Sequence, residues 1–240
     1  MYQPRTYRSW TQEADLIPFQ ISVRETDLYI LARTDLHRKA RRLVMKYREM
    51  LELYIRQHPE FLSAMSPLSI DETAPHIVKT MLVASEKAGV GPMASVAGAL
   101  AESVGAGLAE FSSEVIVENG GDIYLKSLKS RKIGVYAGDS PLTGRIGIEI
   151  PGDGIPLGVC TSSGTVGHSL SHGRADAVIV LSPSVALADA AATAIGNVIN
   201  TPDDFDRGFD TARGISGLTG VMVVLGAEMG VWGDIKICRT

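Results

Sequence analysis

Residues 156–200 read PLGVCTSSGTVGHSLSHGRADAVIVLSPSVALADAAATAIGNVIN, and the chain is organised around this stretch. A short apolar strand is predicted over residues 156–160. Thr161, Ser162, Ser163 and Gly164 follow it directly, three hydroxyls and a glycine after a strand. Two histidines, His168 and His172, and Arg174 come next. A buried strand is predicted over 175–181, a turn at Ser182-Pro183-Ser184, and then an alanine-rich helix over 186–197. That helix carries Asp189 and Thr193 at i, i+4 spacing, which puts both side chains on one face. An ordinary reading is that the hydroxyls cap a turn and that Asp189 is an early-turn carboxylate favoured by the helix dipole. The density of polar groups inside an apolar run points instead to a site.

Size and charge limit what the chain can be. Its 240 residues are enough to bury a substantial core. A net charge of -4 argues against nucleic acid as a partner. Two cysteines, Cys160 and Cys238, make neither a disulfide framework nor a metal motif. The N-terminal residues are too charged for a signal peptide. The weakly charged run around 90–108 is too interrupted to span a bilayer. A cytoplasmic protein is the expectation.

Outward from the central stretch, sheet segments alternate with groups of helices. Short strands are predicted at 5–10, 16–23 and 27–33, the last two joined by a turn at Arg24-Glu25-Thr26. A helix follows over 35–57, with Asp35 as its N-cap. Its apolar face includes Leu36, Ala40, Leu43, Val44, Tyr47, Leu51, Tyr54 and Ile55. Its start is basic: His37, Arg38, Lys39, Arg41, Arg42, Lys46 and Arg48. Cations there oppose the helix dipole. They either form a solvated face or receive a phosphate or an acidic partner.

Residues 60–72 read as a loop. Helices are predicted over 74–88, stopped by Gly89 and Pro92, and from about 93 to 111. Side chains in the latter are small enough to imply close backbone packing. Strands follow at 115–117, 123–125, 133–137 and 146–150. Between the first two stand Asn119, Gly120, Gly121 and Asp122. Asn-Gly reads as a plain hairpin, or as a bulged strand whose glycines let a ligand approach. A short helix over 203–213, a strand over 221–225 and a C-terminal edge over 231–237 complete the pattern. It predicts one α+β domain, a mostly antiparallel sheet packed with helices.

Among chemical motifs, His168 and His172 lack a third ligand for zinc. HExxH, P-loop and GxGxxG patterns are absent. A serine nucleophile has no evident oriented base. Oxygen donors suit a hard cation better. Asp189, the Thr193 hydroxyl and a backbone carbonyl can hold Mg²⁺ with a phosphate completing its shell. Thr161, Ser162, Ser163 and Gly164 offer hydroxyls and amides to that phosphate.

Three motifs in this order carry a family resemblance: Asn119-Gly120-Gly121-Asp122, Thr161-Ser162-Ser163-Gly164 and the run from Ala188 to Ala194, ADAAATA. The chain resembles the superfamily of ApbE, the FAD-dependent protein FMN transferases, and above all its UPF0280 branch. The likeness is strongest over residues 85–237. It implies an ApbE-like fold over residues 1–240, with FAD and Mg²⁺ as cofactors and transfer of a flavin nucleotide as the activity. By the same resemblance Asp189 and Thr193 are the Mg²⁺ positions, and Asn119 to Asp122 and Thr161 to Gly164 line the cofactor. His168 or His172 falls nearest the family's histidine. The Asp-Pro and Thr-Gly pairs that follow that histidine in the transferases are absent here. A rival expectation is therefore a non-catalytic structural or assembly protein that keeps the fold. A phosphate-bearing small molecule is the expected partner, and the Ala- and Gly-rich helices suggest a homo-oligomer.

Overall fold

The computed structural model describes residue 8 and residues 15–165 and 172–240. Two antiparallel strands open it, β1 (Ile17–Val23) and β2 (Thr26–Ala32). They are joined by a two-residue turn in which Arg24 has φ 53°. Of the strand expected at 5–10, only Arg8 lies within the described residues; it donates to Asp27 and Glu118. Helices α1 (His37–Gln57), α2 (Glu60–Ser63), α3 (His76–Ala88) and α4 (Val96–Ala109) follow. Then come β3 (Val115–Asn119), β4 (Asp122–Lys126), β5 (Arg131–Gly134), β6 (Ile146–Ile150), β7 (Leu157–Ser162) and β8 (Ala177–Ser182). Helices α5 (Val185–Gly196) and α6 (Phe205–Gly214) precede β9 (Gly220–Leu225), β10 (Glu228–Gly233) and β11 (Ile237–Arg239).

Eight strands make one sheet in the order β1-β2-β3-β4-β7-β8-β9-β10, and β11-β6-β5 make a second. Every pairing is antiparallel. The large sheet is buried on both faces, which explains the continuous apolar runs of β8 and β9. One face packs on the helices through residues such as Val117, Tyr124, Cys160 and Val180. The other packs on the small sheet through Ile116, Leu125, Val159 and Ile179. The result is one α+β domain in three layers: helices, large sheet, small sheet.

Glycine sets the closeness of the helix layer. A Cβ on Gly105 would sit 2.2 Å from the Tyr124 ring, and one on Gly98 would sit 2.6 Å from Val185 O. Helix α4 therefore lies flush on β4 and against the start of α5.

Several boundaries differ from expectation. Leu36, and not Asp35, holds the N-cap position of α1, although the Asp35 carboxylate still accepts the His37 N–H at 2.9 Å. A single helical turn, α2, interrupts the 60–72 loop because Phe61 is drawn into the core against Tyr54. The expected C-terminal edge divides: β10 pairs with β9, and β11 crosses to the small sheet beside β6. Gly233, at φ 78°, marks the departure.

Candidate functional site

Asn119 and Asp122 face each other across a two-residue hairpin tip. Gly120 and Gly121 have φ of 70° and 107°, as the right-handed twist of a tight hairpin demands. Of the two readings open for Asn119-Gly120, the plain hairpin is the one formed. The tip is pinned by Glu118, whose carboxylate accepts the Gly121 N–H at 3.0 Å. Strand β4 pairs with β7, which brings the tip beside Thr161; a Cβ on Gly121 would lie 3.8 Å from that of Thr161.

Strand β7 runs through Thr161 and Ser162, two residues past the expected end, because both continue the ladder with β8. Strand alternation then separates the hydroxyls. Cys160 belongs to the helix-side core and Val159 to the core between the sheets. Ser162 therefore points to the helices with Cys160, and Thr161 points away with Val159. Asn119 and Asp122 share the helix side with Ser162, following Val117 and Tyr124. Ser162 is 5% exposed, and its Oγ has no hydrogen-bond partner among the described residues. A buried hydroxyl left unpaired is costly. Ser163 lies beyond the strand and takes the Thr165 N–H at 3.1 Å.

Helix α5 runs above β7 in the same direction. At its start Cys160 Sγ donates to Val185 O at 3.3 Å. At its end Gly173 is wedged between Gly164 and Gly196, where a Cβ would come within 1.9 Å of Gly196 O. Ser184 caps α5 by accepting from Leu187 N. Glu102 of α4 adds a second cap, accepting the Ala186 N–H at 2.9 Å.

The relation is reciprocal. Asp189 of α5 accepts the Gly98 N–H, in the first turn of α4, at 2.8 Å. Each helix thus supplies a carboxylate to the amide end of the other. Asn119 joins this junction by donating to Ala97 O at 3.0 Å.

Half-buried as a residue, Asp189 turns its carboxyl inward. Its pKa is pushed well above the usual carboxylate range, first by withdrawal from water and then by the charge of Asp122. The amides of Gly98 and Ala97 act in the opposite direction. Beside this pair, burial pushes the Cys160 thiol up, with Asp122 and Asp189 adding to the effect. Two carboxylates close enough for one to raise the pKa of the other are an arrangement that a hard cation relieves. No cluster of three or more His, Cys, Asp or Glu positioned for a metal exists among the described residues. Mg²⁺ does not need one, since it commonly takes one or two carboxylates and completes its shell with water and phosphate oxygens. Asp122 and Asp189 are the carboxylates available to such a cation, and Thr193 stands one turn along α5 from Asp189.

The structure brings together Asn119, Gly120, Gly121, Asp122, Ser162 and Asp189. Thr193 stands on the same face of α5 and is half-buried. His172 is exposed, with its backbone N–H on Asn197 Oδ1 at 2.9 Å. Asn197 is eight residues beyond Asp189, roughly 12 Å along the helix. His172 is thus at the far end of the strip from Asp189. His168 lies outside the described residues. Sequence reasoning missed Gly98, Glu102 and Glu118. The available signal was Glu102 itself, a charge inside an Ala- and Gly-rich helix.

A family model described as "AbpE bacteria" matches residues 8–216. The UPF0280 protein of Methanococcus aeolicus is 43% identical over 226 residues, covering 92% of this chain and 91% of that protein. That of Methanocaldococcus jannaschii is 43% identical over 224 residues, with 90% of each covered. Among solved structures, the flavinyl transferase ApbE of Pseudomonas stutzeri in its apo form matches with a TM-score of 0.59 at 15% identity, covering 90% of this chain and 93% of that one. The flavin transferase ApbE of Vibrio cholerae gives a TM-score of 0.52 at 13% identity, with coverage of 90% and 96%. With its sequence matched along nearly its whole length and its fold shared with ApbE, the chain belongs to the UPF0280 family of the ApbE-like superfamily.

Proposed function

We propose that the protein binds FAD or a related diphosphate cofactor with Mg²⁺ and transfers a flavin nucleotide. The observation that supports this reading is Asp189 at the amide end of α4, on the helix side of the sheet that Asp122 and the unpartnered Ser162 hydroxyl share. Asp122, Asp189 and Thr193 hold the cation. Ser162 and Ser163 donate hydroxyls to the cofactor, Gly120 and Gly121 leave room for it, and Asn119 keeps the α4 end in place through Ala97. Thr161 positions the hairpin tip from the other face. Gly164 sets the distance to Gly173, and His168 or His172 acts as acid or base on the phosphates. When bound, Mg²⁺ neutralises and polarises the diphosphate.

A second reading is favoured by the Gly98–Asp189 hydrogen bond, which gives Asp189 a purely structural task. The protein would then be a non-catalytic assembly component. Calorimetric titration of FAD and ADP, with and without Mg²⁺, separates the two. Wild type, Asp189→Ala and Asp189→Asn are compared, because Asn keeps an oxygen for Gly98 and removes the charge. Mg²⁺-dependent binding in wild type that disappears in both variants supports the cofactor reading. Equal binding by all three removes Asp189 as a metal ligand, and no heat from any of them leaves the non-catalytic reading.

A further inference from the structure

The solvent face of α1 carries several cations that no carboxylate answers among the described residues. From His37 to Arg48 the sequence has six Lys or Arg and no Asp or Glu. Arg48 is paired with Glu25 and Glu52, and Lys39 Nζ lies 3.5 Å from the centre of the Phe111 ring. Arg38, Arg41, Arg42 and Lys46 are all exposed and make no ion pair among the described residues. At helical spacing Arg38, Arg42, Met45 and Lys46 share the side opposite the buried Ala40, Val44 and Leu51, with Arg41 flanking. Met45 is 49% exposed within this stripe, and Phe111, beneath Lys39, is 52% exposed.

This arrangement lowers the stability of the isolated chain. Cations in the first turns oppose the helix dipole, and like charges at i, i+4, such as Arg38 with Arg42 and Arg42 with Lys46, repel. Among the described residues no carboxylate pairs with Arg38, Arg41, Arg42 or Lys46 to offset this. A local rule broken without an internal return points to something outside. The rest of the chain is acidic enough to bring the total to -4, so the stripe is a distinct positive region on a negative molecule.

Met45 stands exposed among long cationic side chains on this face, and Phe111 is exposed beneath Lys39. Glu49 and Leu53 continue this side of the helix, where a nucleic-acid backbone would set its phosphates against the Glu49 carboxylate. Cations that need no fixed geometry, around apolar groups able to enter a headgroup layer, match an anionic lipid surface by charge complementarity. We propose that this face of α1 docks the protein on anionic lipid. A Cβ on Gly107 of α4 would lie 2.9 Å from Leu43 of α1, so the stripe is at the C-terminal end of α4. Asp189 contacts Gly98, nine residues and roughly 14 Å away along α4. Docking therefore leaves the candidate site clear of the lipid.

Flotation of the full chain with vesicles tests this. One set is phosphatidylcholine alone, the other phosphatidylcholine mixed with phosphatidylglycerol. Wild type is expected to float only with the mixed vesicles and to be released at high salt. Combining Arg38→Gln, Arg41→Gln and Arg42→Gln should weaken this on the order of a hundredfold. Because it removes repulsion, the same variant should melt no lower than wild type, which separates loss of docking from loss of fold. Changing the paired Arg24→Gln should leave flotation unchanged. Absence of wild-type binding to mixed vesicles at low salt, or equal binding by the triple variant, overturns the proposal. So does binding of soluble polyglutamate without binding of vesicles, which would assign the stripe to an acidic protein.

Discussion

Asp189 carries two tasks, and its substitutions separate them. It accepts an amide of α4, and it faces Asp122 across the proposed cation position. Asp189→Ala loses the cap, with an expected cost of about 1 kcal/mol in denaturant unfolding. Asp189→Asn keeps an acceptor and relieves the buried charge, so it should unfold at or above the wild-type midpoint while losing any Mg²⁺-dependent binding. Gly98→Ala tests the same junction sterically. The added methyl would meet Val185 O at 2.6 Å and Asp189 Cβ at 2.8 Å, both fixed by α5. A loss of about 1–3 kcal/mol is expected; an unchanged midpoint would mean the helices part easily. The i, i+4 spacing of Asp189 and Thr193 was legible in the sequence. Gly98 and Glu102 as partners of α5 were not, since contacts 91 and 84 residues apart leave no local pattern.

At the scale of elements, the hairpin between β3 and β4 is the most exposed to test. Gly120 and Gly121 both adopt positive φ. Gly120→Ala should cost about 1–2 kcal/mol, because a Cβ collides with the backbone in that region. Gly120→Asn should cost less, since Asn tolerates it. Matching midpoints for the two variants in urea would show that the tip readjusts. The turn chemistry marked a turn here, and the β3–β4 pairing decided for a plain hairpin over a bulged strand. The split of the hydroxyls was harder to see. Thr161 and Ser162 look like a turn because of Gly164, yet they pair with Ile179 and Val178 of β8. Only that pairing fixes the alternation that sends Ser162 to the site and Thr161 away from it.

For the molecule as a whole, an ion cluster at the far end of β3 ties the two sheets together. Glu114 is fully buried and accepts from Arg33, Arg131, Ser127 and Leu128 N. Arg131, on the small sheet and 3% exposed, also pairs with Asp15. Burial disfavours the Glu114 charge, but these donors outweigh it and hold its pKa at about 2, against an ordinary 4.5. A depressed carboxylate stabilises the fold fully above its ordinary value and progressively less as pH falls toward its folded one. Stability should therefore drop between 4.5 and about 2. Circular dichroism across that range would check it, and Glu114→Gln should flatten the response while lowering stability at neutral pH. Arg131→Met should cost about 3 kcal/mol at neutral pH, because it takes from a buried carboxylate one of its two cations.

By itself the sequence determined most element types, the α+β class, a turn at Asn119-Gly120 and the family. These rest on local signals: periodicity, turn residues and ordered motifs are fixed by neighbours within a few positions. Only the tertiary structure decided that the strands divide between two sheets, with β11 leaving β10 to pair with β6. It alone joined Glu102 to the start of α5 and Asp189 to the start of α4, and placed His172 at the opposite end of α5 from Asp189. The physical reason is common to all of these. A strand end or a helix amide has many equivalent partners along a chain, and local propensity does not choose among them. The choice is made when the core closes, by which side chains and which glycines let two backbones come close enough to bond.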